Sequence, residues 1–324
     1  MCDPNNYRGV HLTTQLSKVA ERVLQKMWVP FLIRTGAFGD NQFAYLPERG
    51  CRDALALAVL TWIAGFGRGE RYAVYCSDVS GAFDKVQKSR LVGKLRASGI
   101  DDRIRRVLES WLGDREAHVI VEGHSSKPMA LSNMVYQGTA WGPPLWNLHY
   151  ADARFAVRMN DFKELIFADD LNAFKSFSKE APDEELQNAM STCQQNLHSW
   201  GRANQVQFDP GKESQHILAT RGRGRGGSFK LLGVSFDVGL TMEGALHEIV
   251  KGASWKISSI LRTSRYFGTR ELIGLYKAKI LSFVECRTAV IYHACDSHPV
   301  HVDRLQKRFL REIRVSELEA LLGF

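Results

Sequence analysis

The sequence has no run of 18 or more apolar residues, so it offers no membrane-spanning helix. Its six cysteines, Cys2, Cys51, Cys76, Cys193, Cys286 and Cys295, are scattered and none form a CxxC pair. That spacing excludes a disulfide scaffold and favours reduced thiols in an intracellular protein. The opening residues Met1 to Asn6 show no basic segment followed by an apolar one, so no secretory signal is expected. A G-x-x-x-x-G-K-[ST] stretch is also missing, which removes the P-loop ATPases. No internal repeat is evident.

What is there describes a globular chain. Of its 324 residues, 44% are hydrophobic and 24% charged, which excludes a disordered tail. The length suits one large domain or two ordinary ones, with a core that needs neither disulfides nor structural metals. Lys and Arg outnumber Asp and Glu by 43 to 35, a net charge of +8. Such an excess fits a nucleic-acid partner if the charge gathers on one face.

Along the chain, Val10, Leu12, Leu16, Val19, Val23 and Met27 are apolar, with helical spacing from Leu16 on and Lys18, Glu21 and Arg22 on other faces. Arg52 to Phe66 reads as a second helix, ended by a Gly-rich tract, and Tyr72 to Cys76 as a buried strand. Ser89 to Ala97 and Ile100 to Asp114 read as helices, and Leu165 to Ala168 as another strand. In the segment Glu184 to Trp200, Leu186, Met190, Cys193, Leu197 and Trp200 repeat at four-three spacing, the mark of a packed helix. Ser228 to Phe236 reads as strand, and from Glu248 on the chain is mostly helical. Strands mixed with helices, followed by a helical end, imply an α/β or α+β core.

Two strand ends carry acids. Asp78 follows the first strand in Cys76-Ser77-Asp78-Val79-Ser80-Gly81-Ala82-Phe83-Asp84, and Asp169-Asp170 follows Ile166-Phe167-Ala168. Adjacent carboxylates at the end of a buried strand repel one another and lose solvation unless a cation neutralises them. Hard divalent ions such as Mg²⁺ do so with oxygen ligands. Two such ions about 4 Å apart clamp the attacking and leaving oxygens of a phosphoryl transfer. The bland alternative for Asp169-Asp170 is a polar hairpin turn.

The order of blocks decides between them. The Asp78 to Asp84 block is followed by Gln137-Gly138-Thr139-Ala140-Trp141-Gly142-Pro143-Pro144-Leu145-Trp146-Asn147, then Phe167-Ala168-Asp169-Asp170, Gly211-Lys212 and Phe229-Lys230-Leu231-Leu232-Gly233-Val234. This order resembles the palm of the reverse transcriptases of non-LTR (LINE-type) retrotransposons, colinear over nearly the whole chain. Asn6 to Val10 and Asn41 to Pro47 are similar to that family's fingers segment.

The resemblance implies an α+β right-hand polymerase. Fingers and an antiparallel palm sheet packed on helices would occupy residues 1–238, and a helical thumb-like region 239–324. It implies RNA-directed DNA synthesis, with an RNA template, a DNA primer, dNTPs and two Mg²⁺ ions, for which Mn²⁺ can substitute. Asp78, the Val79 carbonyl, Asp169 and Asp170 would hold the metals. Phe83 would lie beneath the incoming sugar and exclude a 2′-hydroxyl; its bland alternative is a core aromatic. Gln137 and Gly138 would touch the template–nucleotide pair, Lys212 would lie near the triphosphate as a general acid, and Leu232 and Gly233 would form the hairpin that grips the primer end. In a eukaryotic host an active copy would work in the nucleus.

This sequence departs from the family in places. Tyr136 stands where Pro usually precedes the Gln, Thr139 where Ser is common, and Ala44-Tyr45 where Gly-Phe is frequent. The resemblance begins inside the fingers, without the basic upstream segment expected there, and no endonuclease or RNase H segment is recognisable. Arg221, Arg223 and Arg225, interleaved with glycines, read either as nucleic-acid contacts or as a solvated loop. Cys286, His293, Cys295, His298 and His301 cluster without zinc spacing. Two rival readings are an inactive remnant that only binds nucleic acid and a carboxylate-pair hydrolase acting on sugars, which needs neither Gln137-Gly138 nor Phe83.

Overall fold

The computed structural model describes residues 10–113, 115–132, 134–220, 222–293 and 299–316. In chain order it places helices α1 (Gln15–Arg34) and α2 (Cys51–Gly67), strand β1 (Arg71–Ser77), and helices α3 (Lys88–Ala97) and α4 (Asp102–Trp111). Short strands β2 (Arg115–Ala117), β3 (Ile120–Val121), β4 (His124–Ser125) and β5 (Met129–Leu131) lead to helices α5 (Gly142–Tyr150) and α6 (Ala153–Arg158). Strands β6 (Lys163–Phe167) and β7 (Asp170–Phe177), helix α7 (Asp183–Asn204) and strands β8 (Ser214–Leu218), β9 (Phe229–Leu231) and β10 (Val234–Phe236) follow. The rest is helical: α8 (Glu243–Thr263), α9 (Thr269–Tyr276), α10 (Ser282–Glu285), α11 (Thr288–Ile291) and α12 (Pro299–Glu312). None of the described helices is long and apolar enough to cross a membrane.

Packing divides the chain into two interleaved units. One comprises Met1–Arg49, Val74–Lys175 and Glu184–Gln215, the other Gly50–Ala73, Ser176–Asp183 and His216–Phe324. Neither coincides with residues 1–238 or 239–324, because the units follow contacts whereas the fingers-and-palm expectation follows sequence blocks.

The four-stranded sheet has the order β6-β7-β1-β8. Every residue of β1 is buried, which is why it reads as a continuous apolar run rather than an alternating one. Strands β6 and β7 pair antiparallel, and the pair Phe167–Asp170 closes a two-residue turn, Ala168-Asp169. Leu186, Met190, Cys193 and Leu197 of α7 are buried as their spacing demands, while Trp200 is half-buried and donates its indole N–H to Asp152 at 3.1 Å.

Helix α1 turns a different face inward than its apolar stripe suggests. Leu16, Val23 and Met27 are exposed, and the buried positions are Glu21, Trp28 and Leu32. The Glu21 carboxylate accepts from the Trp111 indole at 3.1 Å and the Ala140 N–H at 2.7 Å, while its backbone carbonyl accepts from the Trp141 indole at 2.7 Å. A buried carboxylate with two strong donors is retained, and the helix is oriented by it. Glu21→Ala leaves both donors without an acceptor in a dry pocket. The expected cost is about 2–4 kcal/mol in denaturant unfolding. A loss below about 0.5 kcal/mol, the scale of an ordinary surface change, would contradict this account.

The second unit forms around α2 and the C-terminal helices. Trp62 of α2 meets Phe229 and Phe236 edge-on, at 6.4 and 5.7 Å between ring centroids. The segment Ser228–Phe236, which reads locally as strand, folds as the hairpin that the resemblance implies, β9 paired antiparallel with β10 across Leu232-Gly233. Both turn residues have positive φ, +49° at Leu232 and +77° at Gly233, which lets two strands reverse in two residues. Helices α8, α9 and α12 pack around Ala253, Ile257, Leu272, Tyr276, Ile280 and Phe309.

Candidate active site

The acids of the two strand ends lie in the first unit, on neighbouring strands. Asp78 follows the last residue of β1, and Asp170 opens β7. Their carboxyl groups are near enough for the one to act on the other. The Asp170 carboxyl is pushed up to about 6, first by burial and then by the charges of Asp169 and Asp78, with Lys212 opposing. Lys212 places its Nζ 2.5 Å from Asp78 Oδ2 and 3.7 Å from Asp209 Oδ2. Among the described residues no three His, Cys, Asp or Glu side chains converge to hold an ion. The donor set nevertheless suits a hard cation: its side-chain donors are carboxylate oxygens, Asp170 carries a raised pKa, and the Lys212 ammonium already rests against Asp78.

Backbone ladders fix this corner. The Asp209 N–H donates to the Asp78 carbonyl at 2.9 Å and the Ser80 N–H to the Gln207 carbonyl at 2.8 Å. Val79 and Phe208 between them form the antiparallel bridge. In that position the Val79 carbonyl takes no part in the bridge's hydrogen bonds, which suits it to a metal ligand's role. Asp169 lies in the β6–β7 turn beside Ala168, whose φ is +59°.

Residues outside the motifs hold the site. Gln42, buried, accepts the Ala168 N–H at 3.2 Å and the Ala44 N–H at 2.9 Å. The stretch around Gln42 adds to β6 through Phe43 N–H to Ile166 O and Ile166 N–H to Asn41 O, both 2.9 Å. Asn147 of α5 clamps the same stretch by donating to Ala44 O at 2.8 Å. Of the Ala44-Tyr45 departure, the strained member is Tyr45, at φ +60°. Glu213, next to Lys212, accepts from Tyr75 at 2.6 Å and Gln194 at 2.7 Å, and pairs with His198 Nε2 at 2.7 Å. Nothing periodic marked Glu21, Gln42 or Glu213. Their only signal was a polar residue amid apolar neighbours or beside a motif.

Gln137 and Gly138 form a loop pinned by the His11 N–H, which donates to Gln137 O at 2.9 Å. Gly138 has φ +95°, and a Cβ there would sit 3.0 Å from His11 O and 3.2 Å from Val10 Cγ1, so only glycine fits. The Tyr136 departure is a core substitution: its ring meets Trp111 edge-on at 4.9 Å, and the Arg115 guanidinium lies 4.8 Å from its centroid. Phe83 occupies a 3₁₀ turn, half-buried, its ring stacked on Trp146 at 5.8 Å.

Two expected contacts lie in the second unit. Leu232 and Gly233 form the β9–β10 turn, and the Cys51 thiol lies 3.9 Å from Leu232 O. The arginine-glycine stretch folds back on β8 through the Ile217–Arg225 bridge. Arg225 Nε pairs with Asp183 at 2.9 Å, and Asp183 also pairs with the buried Arg71. Arg223 remains exposed, while Arg221 lies outside the described residues. Of the Cys-His cluster, Cys295 and His298 likewise lie outside them, and His293 bonds Leu240 O through Nε2 at 2.9 Å.

The model of the family "Reverse transcriptase (RNA-dependent DNA polymerase)" matches residues 3–235. The RNA-directed DNA polymerase from mobile element jockey of Drosophila melanogaster is 25% identical over 96% of this chain and 36% of its own length. The Pol polyprotein from type-1 retrotransposable element R2 of Popillia japonica is 29% identical over 32% of this chain and 19% of its own. The chain therefore spans about a third or less of the curated relatives it matches. Among solved structures, telomerase from Candida tropicalis in complex with a fragment of telomeric RNA superposes with TM-score 0.50 at 13% identity, over 95% of this chain and 53% of that one. The apo form of the same enzyme does so with TM-score 0.50 at 10% identity, over 92% and 54%. The likeness shows that the fold is the polymerase fold of reverse transcriptases. With the family model spanning most of the chain, and the Asp78 and Asp169-Asp170 blocks at the ends of neighbouring strands, the chain belongs to the reverse transcriptase family, as its resemblance to the non-LTR retrotransposon enzymes implied.

Proposed function

We propose that the chain is the catalytic part of an RNA-directed DNA polymerase of a non-LTR retrotransposon, with fingers and palm in residues 1–238 and a thumb in 239–324. The observation that carries the reading is the convergence of Asp78 and Asp170 from adjacent strands, with Lys212 against Asp78. Two Mg²⁺ ions, or Mn²⁺, held by Asp78, Val79 O, Asp169 and Asp170 would supply a more acidic primer hydroxyl and offset charge on the leaving pyrophosphate.

The chain's own residues orient the reactants. The primer 3′-hydroxyl attacks the α-phosphate of a dNTP, and pyrophosphate leaves. Lys212, with its ammonium already in the carboxylate corner, shifts toward the triphosphate and donates a proton to the leaving oxygen. The Phe83 ring fills the space of a 2′-hydroxyl, the Gln137-Gly138 backbone lies against the template–nucleotide pair, and the Leu232-Gly233 turn holds the primer end. An RNA template is gripped by its phosphates and its shape rather than by sequence. Arg304, Lys307 and Arg311, exposed at helical spacing on α12, add to the basic surface.

The test is primer extension on an RNA template with purified protein, dNTPs and Mg²⁺. Extension is the expected result. Binding of the primer–template without extension would instead make the chain a nucleic-acid-binding remnant. The arginine loop contributes unequally in this reading. Arg223→Ser is expected to reduce the slope of log affinity against log salt by about 0.7–0.9. Arg225→Ser should reduce it less, since Asp183 already neutralises that guanidinium. Lines parallel to the parent's in a salt titration would show that Arg223 reaches no phosphate.

A further inference from the structure

Trp146 is fully buried on α5 and makes two contacts that lead to different parts of the site. Its ring stacks on Phe83, with centroids 5.8 Å apart and planes 24° from parallel. Its Nε1–H donates to the Ala168 carbonyl at 3.1 Å. We propose that Trp146 is a positioning residue that ties the sugar-facing ring of Phe83 to the Ala168-Asp169 turn, so that one indole sets both deoxynucleotide selection and metal affinity. This rests on the polymerase reading of the site.

The turn needs such a tie. Ala168 sits at φ +59°, a left-handed conformation that costs an L-alanine about 1 kcal/mol. Both polar groups of this residue are held from far along the chain, the N–H by Gln42 at 3.2 Å and the carbonyl by Trp146. With either bond lost, the residue relaxes toward the ordinary region and Asp169 swings away. Phe83 needs a support of its own. Its 3₁₀ turn spans three residues, too short to fix a side chain, and its ring is only half-buried. Trp146 is itself immobilised by stacking on Tyr150, at 5.2 Å and 19°, and Tyr150 meets Trp200 edge-on at 5.4 Å. The row from Trp200 to Phe83 forms a rigid backing in which a displacement at the indole reaches the sugar ring and the metal turn together.

Two substitutions separate the contacts. Trp146→Phe keeps a ring for Phe83 but removes the N–H donor. Trp146→Leu removes both. The measurements are single-nucleotide incorporation of dNTP against rNTP, and Mn²⁺ affinity of the nucleic-acid-free protein by electron paramagnetic resonance. Circular dichroism checks the fold. For Trp146→Phe, Mn²⁺ affinity is expected to fall about fivefold, the worth of one buried hydrogen bond, with the rNTP-to-dNTP ratio near the parent's. For Trp146→Leu the ratio is expected to rise about tenfold as well. Should Trp146→Leu fail to fold, Trp146→Met, longer and more adaptable but without a ring, takes its place.

Rescue of sugar selection by Phe without rescue of metal affinity is a result that a merely structural role does not produce. Unchanged Mn²⁺ affinity in Trp146→Phe overturns the proposal, and so does parental sugar selection in the ringless variant. A parent that extends no primer overturns the polymerase reading and this proposal with it. A parent that extends, beside a Trp146→Phe protein of parental metal affinity or a ringless variant of parental selectivity, overturns this proposal alone.

Discussion

Asp169→Asn should lower primer extension by about 10³-fold or more while leaving affinity for the primer–template within about twofold of the parent's. The substitution keeps the size and shape of a side chain in an open turn, so the fold is undisturbed. What it removes is a negative oxygen where positive charge must concentrate during the reaction. Nucleic-acid affinity comes mainly from basic residues and the phosphate backbone, to which Asp169 contributes nothing. Asp78→Asn should have a kinetic effect of the same order, and it also strips Lys212 of its partner at 2.5 Å. Asp170→Asn removes the most crowded of the three carboxylates, the one pushed up to about 6 by burial and by its neighbours. Steady-state extension and equilibrium binding, measured on the same preparations, separate the two quantities. An Asp169→Asn protein that extends primers at the parent's rate would remove this residue from the metal site.

The sequence made the site's chemistry legible wherever the chemistry is local. A carboxylate at the end of an apolar strand is visible in one dimension, and β1 and β6 lie where their runs put them. So is Gly138, whose residue type alone announces a backbone at φ +95°. What holds those groups in place is not local. Glu21 reaches Ala140 across 119 positions, Gln42 reaches Ala168 across 126, and Trp146 reaches Ala168 across 22. No spacing rule connects such partners. The same limit explains α1, where the apolar stripe is exposed and a carboxylate is buried: three hydrogen bonds to the side chain and backbone of Glu21 outweigh the stripe's preference. The hairpin over Ser228–Phe236 came from the resemblance and not from local pattern, because its turn opens on Leu232 at φ +49°, a residue type that carries no turn signal. The arginine loop read as a uniform basic tract, yet its arginines differ once Asp183 claims Arg225.

Phe83→Val should raise the ratio of rNTP to dNTP incorporation about 10- to 100-fold, the range in which pocket volume alone discriminates. Valine shortens the side chain by most of a ring and leaves a space of the size of a hydroxyl beneath the sugar. The rate with dNTP should fall less than tenfold, because Phe83 touches no group that changes charge in the reaction. A stability loss of about 1–2 kcal/mol accompanies it, since the ring's stack on Trp146 at 5.8 Å is lost from a half-buried position. That loss is separable from the selectivity change. Trp146 lies under the ring and is fully buried, so the cavity opened by valine faces outward rather than into the core. Single-nucleotide kinetics on one primer–template give both rates. A selectivity change with the dNTP rate nearly kept identifies a steric filter. A fall in both rates with their ratio unchanged would make Phe83 a packing residue, its ring serving Trp146 rather than the substrate.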